Sequence, residues 1–395
     1  MRWIVPLAAV AVVAAAAGAG PVIATVRGAP ALPERTAEQV IADMFRRTAE
    51  HARLPLSGTI VKTASLGIPG LPQSADGRHG GQTTSPAELL AGAHQFKIWY
   101  GGADRIRIAR SEPMSEANLI AKGREGWLWE SSADTATRVT LPGAGAPSPA
   151  TTASPLATAA SSLATTGSSL AAAAVTPVQA ARHVLELIGG DTHVTVDDGE
   201  VVAGRAAYRL VLVPKSPDSL VEEVRLALDG ENFIPLRLQV VAKGSAEPAI
   251  EFGFSEITFS PPAEENFTFT PPPGVTVKEM ELSADTLKEL GAERVPGKAP
   301  EGRATHIGTG WTTVASLPFN DRDLLAALWP AGADSESEPR RLVASVLNSG
   351  TKVSGPWGSG RLISTKLLTV LITDDGRLLV GAVTPKALTE AAGRL

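Results

Sequence analysis

The stretch Ala206-Ala207-Tyr208-Arg209-Leu210-Val211-Leu212-Val213 decides how this chain folds. Tyr208, Leu210 and Leu212 fall on one side of an extended backbone and Arg209 on the other, the two-residue period of a half-buried strand. The same period returns downstream. Val224, Leu226 and Leu228 share a side within 221–228, Leu236, Leu238 and Val240 within 234–242, and Ile250, Phe252 and Phe254 within 249–257. Glu223, Arg225, Arg237, Gln239 and Glu251 take the opposite side. A series of this kind predicts an antiparallel sheet with one apolar and one wet face. Shorter strands are expected at 193–196 and 267–269.

A second run of short strands lies upstream, at 56–66, 95–100, 105–110, 117–122, 126–129 and 137–141. Gly101-Gly102, Glu112-Pro113, Gly123 and residues 131–134 separate them as turns, which predicts a meander. No charged residue occurs from Val139 to Ala181. Leu156, Leu163 and Leu170 recur there in near-repeats, but a coiled coil needs two apolar positions per heptad and only one is present. Residues 142–175 therefore read as an Ala/Ser/Thr/Pro-rich insertion. Helices are expected at 36–52, capped by Thr36 with Val40, Ile41, Met44 and Phe45 on one side, at 86–90, and at 177–188, stopped by Gly189-Gly190.

Downstream, 281–303 reads as a linker with a short helix at 284–290. Residues 304–395 read as a small α/β unit with strands at 311–317, 361–365, 367–373 and 378–383 and helices at 323–329, 339–347 and 385–392. At the other end, Arg2 is followed by an uncharged run from Trp3 to Val26, so 1–30 reads as an export signal. Ala17-Gly18-Ala19 and Val22-Ile23-Ala24 both suit cleavage, while an uncut run 3–26 is long enough to associate with a membrane as an anchor. Both readings place the remainder outside the cytoplasm.

The 395 residues suit two or three folding units. With 44% hydrophobic residues the chain can build a core, and a net charge of −5 argues against bulk electrostatic binding of nucleic acid. The absence of cysteine removes disulfides, thiolate metal sites and cysteine nucleophiles. No Gly-x-Ser-x-Gly elbow or His-Glu-x-x-His helix occurs. The six histidines are dispersed, Asp197-Asp198 and Asp374-Asp375-Gly376 read as turns between strands, and Ser359 has no local base. A non-enzymatic protein without metal or cofactor is expected.

Trp127 and Trp129 lie two apart on one side of a strand, near Trp99 and Tyr100. They read either as plain core or as the wall of a pocket. The pocket reading gains weight because the predicted helices are too short to cover the long apolar face. A curved sheet plugged only in part would leave an apolar cavity. Burying an acyl chain of about 16 carbons there contributes roughly 12 kcal/mol gross. The candidate ligand-binding residues are Trp127, Trp129, Tyr208, Leu210, Leu212, Leu226, Leu228, Leu236, Leu238, Phe252 and Phe254.

Several stretches carry a family resemblance across about 36–280. These are Leu56-Ser57-Gly58-Thr59, Leu66-Gly67-Ile68-Pro69-Gly70-Leu71-Pro72, Ile98-Trp99-Tyr100 and Gly126-Trp127-Leu128-Trp129, then Val202-Ala203-Gly204-Arg205-Ala206-Ala207-Tyr208-Arg209-Leu210, Leu228-Asp229-Gly230-Glu231, Ile234-Pro235-Leu236-Arg237 and Phe267-Thr268-Phe269-Thr270-Pro271-Pro272. The chain resembles exported LolA-like proteins, the outer-membrane lipoprotein carrier superfamily, as found in high-GC Gram-positive bacteria. The resemblance implies a mainly-β (α+β) fold, an unclosed antiparallel half-barrel with plugging helices plus a small C-terminal α/β domain. It implies as partner an acyl chain of a lipid or lipoprotein, held by a carrier or sensor. Leu379-Val380-Gly381-Ala382-Val383-Thr384-Pro385 is similar to the end of the small domain of RseB/MucB-like proteins. That similarity implies an alternative, a regulator that binds the external domain of a membrane anti-sigma factor. Bacteria of the implied kind generally lack an outer membrane as destination, so binding or sensing is expected over delivery.

Overall fold

The computed structural model describes residues 32–51, 53–69, 92–102, 104–112, 115–140, 185, 189–281, 305–319, 345–347 and 349–395. The leader expected at 1–30, the insertion expected at 142–175 and the helices expected at 86–90, 284–290 and 323–329 lie outside the described residues. Of the helices expected at 177–188 and 339–347, only residues 185 and 345–347 are described, and these are helical.

The described residues form two sheets and two helices of a full turn or more. The helices are α1 (Ala37–His51) and α2 (Pro385–Ala392). The first strands are β1 (Leu56–Ala64), β2 (Gly92–Tyr100), β3 (Arg105–Glu112), β4 (Ser115–Lys122), β5 (Glu125–Glu130) and β6 (Thr135–Thr140). Then come β7 (Thr192–Val202), β8 (Arg205–Pro214), β9 (Val221–Asp229), β10 (Pro235–Ala242), β11 (Pro248–Thr258) and β12 (Thr276–Glu281). These twelve make one unclosed sheet in the order β12-β6-β5-β4-β3-β2-β1-β11-β10-β9-β8-β7. Its pairs are antiparallel except β6 with β12, which is parallel. The fold is thus mainly β, a large open sheet beside a smaller one.

The short strand expected at 267–269 is not formed. Glu264–Phe267 is a 3-10 turn, and the chain from 259 to 275 crosses from β11 toward the far edge, where β12 pairs with β6. Three prolines, Pro271, Pro272 and Pro273, deny that crossing segment the backbone donors a strand needs. Asp197-Asp198 lies inside β7 and not between strands, because the register of β7 on β8 shifts between Asp197 and Glu200. A bulge absorbs the extra residues, and Arg209 pairs with Asp197 at 3.4 Å. Asp374-Asp375-Gly376 is a turn as expected, with Gly376 at φ 86°.

Helix α1 begins where its residues require. Thr36 Oγ1 accepts from the Gln39 backbone N–H and Gln39 Oε1 accepts from that of Thr36, a reciprocal capping box. The helix buries Val40, Ile41 and Ala42 against Tyr208, Leu210, Leu226, Leu228 and Phe233. Each fully buried aliphatic side chain there contributes about 1.5–3 kcal/mol. Gly58 in β1 permits the bulged pairing with β11, since a Cβ there would collide with the Glu256 carbonyl oxygen.

The second sheet runs β13-β14-β18-β17-β16-β15. It comprises β13 (Thr305–Ile307), β14 (Val314–Pro318), β15 (Thr351–Gly355), β16 (Gly358–Ser364), β17 (Thr369–Thr373) and β18 (Arg377–Gly381). The strand expected from 311 is shorter, since Gly310–Thr312 is a 3-10 turn. Helix α2, capped by Thr384 with Pro385 in its first turn, buries Leu388, Ala391 and Ala392 on Leu371 and Leu379. The two sheets are joined. Leu66, Val221, Ala242, Ala249 and Leu367 form one buried cluster with Trp311 and Ala382 packed on it. Leu220 N–H donates to Ala382 O and Thr384 N–H to Asp218 O, each at 2.8 Å. The Trp311 indole N–H donates to Thr192 Oγ1 at 2.7 Å.

Candidate functional site

The strand registers trace one face of the large sheet from end to end. Leu210 pairs with Leu226, Leu226 with Leu238, Leu238 with Phe252, Phe252 with Lys62, and Lys62 with His94. Directly paired residues point to the same side, and so do residues two apart on a strand. Phe96 is two from His94, and Phe96 pairs with Arg110, Arg110 with Ala117, and Ala117 with Glu130. Alongside runs a row of Ile98, Ile108, Leu119, Leu128 and Thr137. The face that holds Leu226 at one end therefore holds Leu119 and Leu128 at the other.

The two ends differ in what covers them. At the β7–β10 end, α1 seals the face. Tyr208, Leu210, Leu226 and Leu228 are buried beneath it, with Leu212 and Leu238 packed on the same cluster. Tyr208 stacks on Phe233 at 5.7 Å between ring centroids, and the Arg35 guanidinium lies over both rings at 5.9 and 5.4 Å. The Tyr208 hydroxyl accepts from Arg35 Nε and donates to Pro33 O, both at 3.1 Å. These residues form packed core.

At the β2–β6 end the same face lines an open-sided cavity of about 440 Å³. Phe96, Ile108, Ala117, Leu119 and Leu128 supply its floor, and Arg110, Glu130, Thr135 and Thr137 its polar groups. Leu128 is 44% exposed and Phe96, Ile108 and Leu119 are half-buried. The volume lies within the range of roughly 300–1,000 Å³ that accepts a small organic ligand.

The sequence-predicted site residues are not all brought together. Trp127 pairs with Ile120 and Trp129 with Asn118, one residue out of phase with the Leu119–Leu128 row, so both indoles lie on the opposite face. There they meet Phe269 of the crossing segment, at 5.4 and 6.0 Å between ring centroids. The Trp129 indole N–H donates to Glu116 Oε1 at 2.8 Å. Trp129 borders the cavity from its place in β5 between Leu128 and Glu130. Phe267 packs nearby under the Arg105 guanidinium, and Arg105 and Lys122 both pair with Glu264, holding its carboxyl below the usual range. Phe269 staples the crossing segment onto the tryptophans.

Leu236 separates from Leu238. The β9–β10 register shifts between Pro235 and Arg237, and Leu236 is buried with Ile60, Ala207, Ala227 and Phe254 in a different cluster. Phe252 is half-buried between Leu238 and Lys62. The cavity floor of Phe96, Ile108, Leu119 and Leu128 was missed by sequence reasoning. Its signal was the alternation in 105–110 and 117–122, where the apolar residues between the polar ones mark a second side.

Among the described residues no cluster of His, Asp and Glu could hold a metal ion, and no helix is long and apolar enough to cross a membrane. No protein-family model matches the chain, and no curated protein matches it. Solved structures are similar to it. The Pseudomonas aeruginosa MucA/MucB complex matches with 14% identity over 89% of this chain and 96% of that one, at a TM-score of 0.38. A conserved protein of Thermus thermophilus matches with 8% identity over 60% of this chain and 98% of its own, at 0.31. A LolA-superfamily protein from Nitrosomonas europaea matches with 12% identity over 60% of this chain and 99% of that chain, at a TM-score of 0.21.

Proposed function

We propose that this is an extracytoplasmic, non-enzymatic binding protein that holds an acyl chain of a lipid or lipoprotein on the open end of its large sheet. One observation carries the reading: the apolar floor of Phe96, Ile108, Leu119 and Leu128 lines a cavity of about 440 Å³, whereas the other end of the same face is sealed by α1. Apolar surface lining an open-sided cavity is matched by an apolar ligand. The uncharged run from Trp3 to Val26 supports export.

The test is native mass spectrometry on the exported protein, followed by lipid extraction. A discrete mass of lipid size is expected, and the double variant Leu119→Glu/Leu128→Glu should lose it while keeping the wild-type circular dichroism spectrum. Leu226 and Leu238 are unsuitable targets, because they belong to the packing beneath α1. A bare wild-type mass that stays bare after incubation with acyl lipids would sink the reading.

A second reading is capture of the external segment of a membrane protein by the smaller sheet. It is favoured by the position of β15, which pairs with β16 on one side and, among the described residues, forms the sheet's edge on the other, with Thr351, Lys352, Ser354 and Gly355 exposed. An open edge can accept an added strand. Pull-down with and without a proline at Ser354, whose backbone N–H points away from β16, separates this reading from the first, since acyl retention would not change.

A further inference from the structure

Among the described residues, Lys62 is the one lysine set into the apolar run of the inner face. It is 8% exposed, and its neighbours across the strands are Phe252 on β11 and His94 on β2. Ile60, two residues before it, pairs with Phe96 of the cavity floor, so Lys62 stands one row beyond the cavity on the same face. Among the described residues nothing accepts a hydrogen bond from its ammonium and no carboxylate pairs with it. Burial also holds the ammonium below the usual lysine value. Its aliphatic stem is covered, whereas its ammonium is not among the fully buried polar atoms, so the charge stands accessible beside the apolar row with no counter-ion among the described residues.

We infer that Lys62 anchors the acidic headgroup of a single-chain amphiphile, the carboxylate of a long-chain fatty acid, whose tail lies along Ile108, Leu119 and Leu128. This deepens the acyl-binding reading and rests on it. Two features choose the ligand class. The cavity suits one chain better than the two of a phospholipid. A single ammonium is a point charge that suits one carboxylate, whereas phosphate is more often gripped by the fork of an arginine. A lipoprotein chain, attached through ester and amide bonds, has no free acid to offer and would gain nothing from Lys62.

The experiment measures equilibrium binding of radiolabelled palmitate, methyl palmitate and dipalmitoylphosphatidylglycerol to the full exported chain, wild type and the variants Lys62→Met, Lys62→Arg and Arg110→Met. Palmitate should bind wild type about ten-fold more tightly than its methyl ester, as one charge-assisted contact allows. Lys62→Met should close that gap without weakening the ester, and Lys62→Arg should keep it. The acid-to-ester comparison on wild type stands whether or not a variant folds. Equal binding of acid and ester by wild type overturns the anchor but leaves the acyl reading intact. A gap that survives Lys62→Met, including one lost only in Arg110→Met, assigns the headgroup elsewhere and overturns it too. A preference for the phospholipid overturns the single-chain carboxylate. Failure of all three probes to bind overturns the acyl reading itself, and this inference with it.

Discussion

His51 ends α1 with its Nε2 against the Asn232 carbonyl oxygen, beside the turn that starts at Asp229. Burial outweighs that hydrogen bond and holds its pKa below the usual 6.5. The unfolded chain therefore takes up a proton that the folded chain refuses as pH falls below the ordinary value, and stability drops through that window. We expect the urea midpoint of wild type to fall more than that of His51→Gln between about pH 7.5 and 5.5. Equal losses would show that His51 is not the responsible group. Asp229 stands at the start of that turn. It is fully buried, accepts from Arg205 at 2.5 and 3.1 Å, and also accepts the Glu231 and Asn232 backbone N–H groups. At this scale the sequence was readable where the rule is local. The Thr36 cap followed from its spacing to Gln39, whereas the isolation of Lys62 depends on which strands flank β1.

At the scale of elements, α1 decides which half of the inner face is core. Ile41→Ala should cost about 2–4 kcal/mol in urea unfolding, because it opens a gap over Leu226 and Leu228. Acyl retention at the β2–β6 end should persist in that variant below its melting temperature. Loss of ligand from a folded Ile41→Ala protein would mean that the two halves act as one pocket. Strand existence was legible from alternation for β1–β6 and β8–β11, and boundaries moved by only a few residues. Two devices escaped the pattern. The bulge between Pro235 and Arg237 breaks the two-residue rule, sending Leu236 and Leu238 into different clusters. Phe267 and Phe269 alternate like a strand, yet they serve as plugs on a crossing segment whose backbone forms no ladder.

For the whole molecule, the smaller sheet is part of what stabilises the larger one. Removing residues 302–395 would uncover Leu66, Val221 and Ala249 and strip Leu220, Asp218 and Thr192 of their partners. Re-exposing Leu66 and Val221 alone costs about 1.5–3 kcal/mol each. The truncated chain should melt well below the full one in calorimetry; an unchanged transition would mean that the large sheet stands by itself. Residue order alone specified that long strands with one apolar side would form and that Thr36 would cap the start of α1. These follow from residue type and near-neighbour spacing, which fix local backbone geometry. Tertiary structure alone decided which side is inner at each end. Alternation shows that a strand has two sides and is silent on which one meets a helix. That choice is made by pairings between residues far apart in the chain. Pairing of β1 with β11 brings Lys62 beside Phe252, and the segment that leads to the parallel β6–β12 edge lays Phe269 over Trp127 and Trp129. The most conspicuous aromatics are thereby packed under the crossing segment on the other face, and the plainer row of Ile108, Leu119 and Leu128 becomes the floor of the cavity.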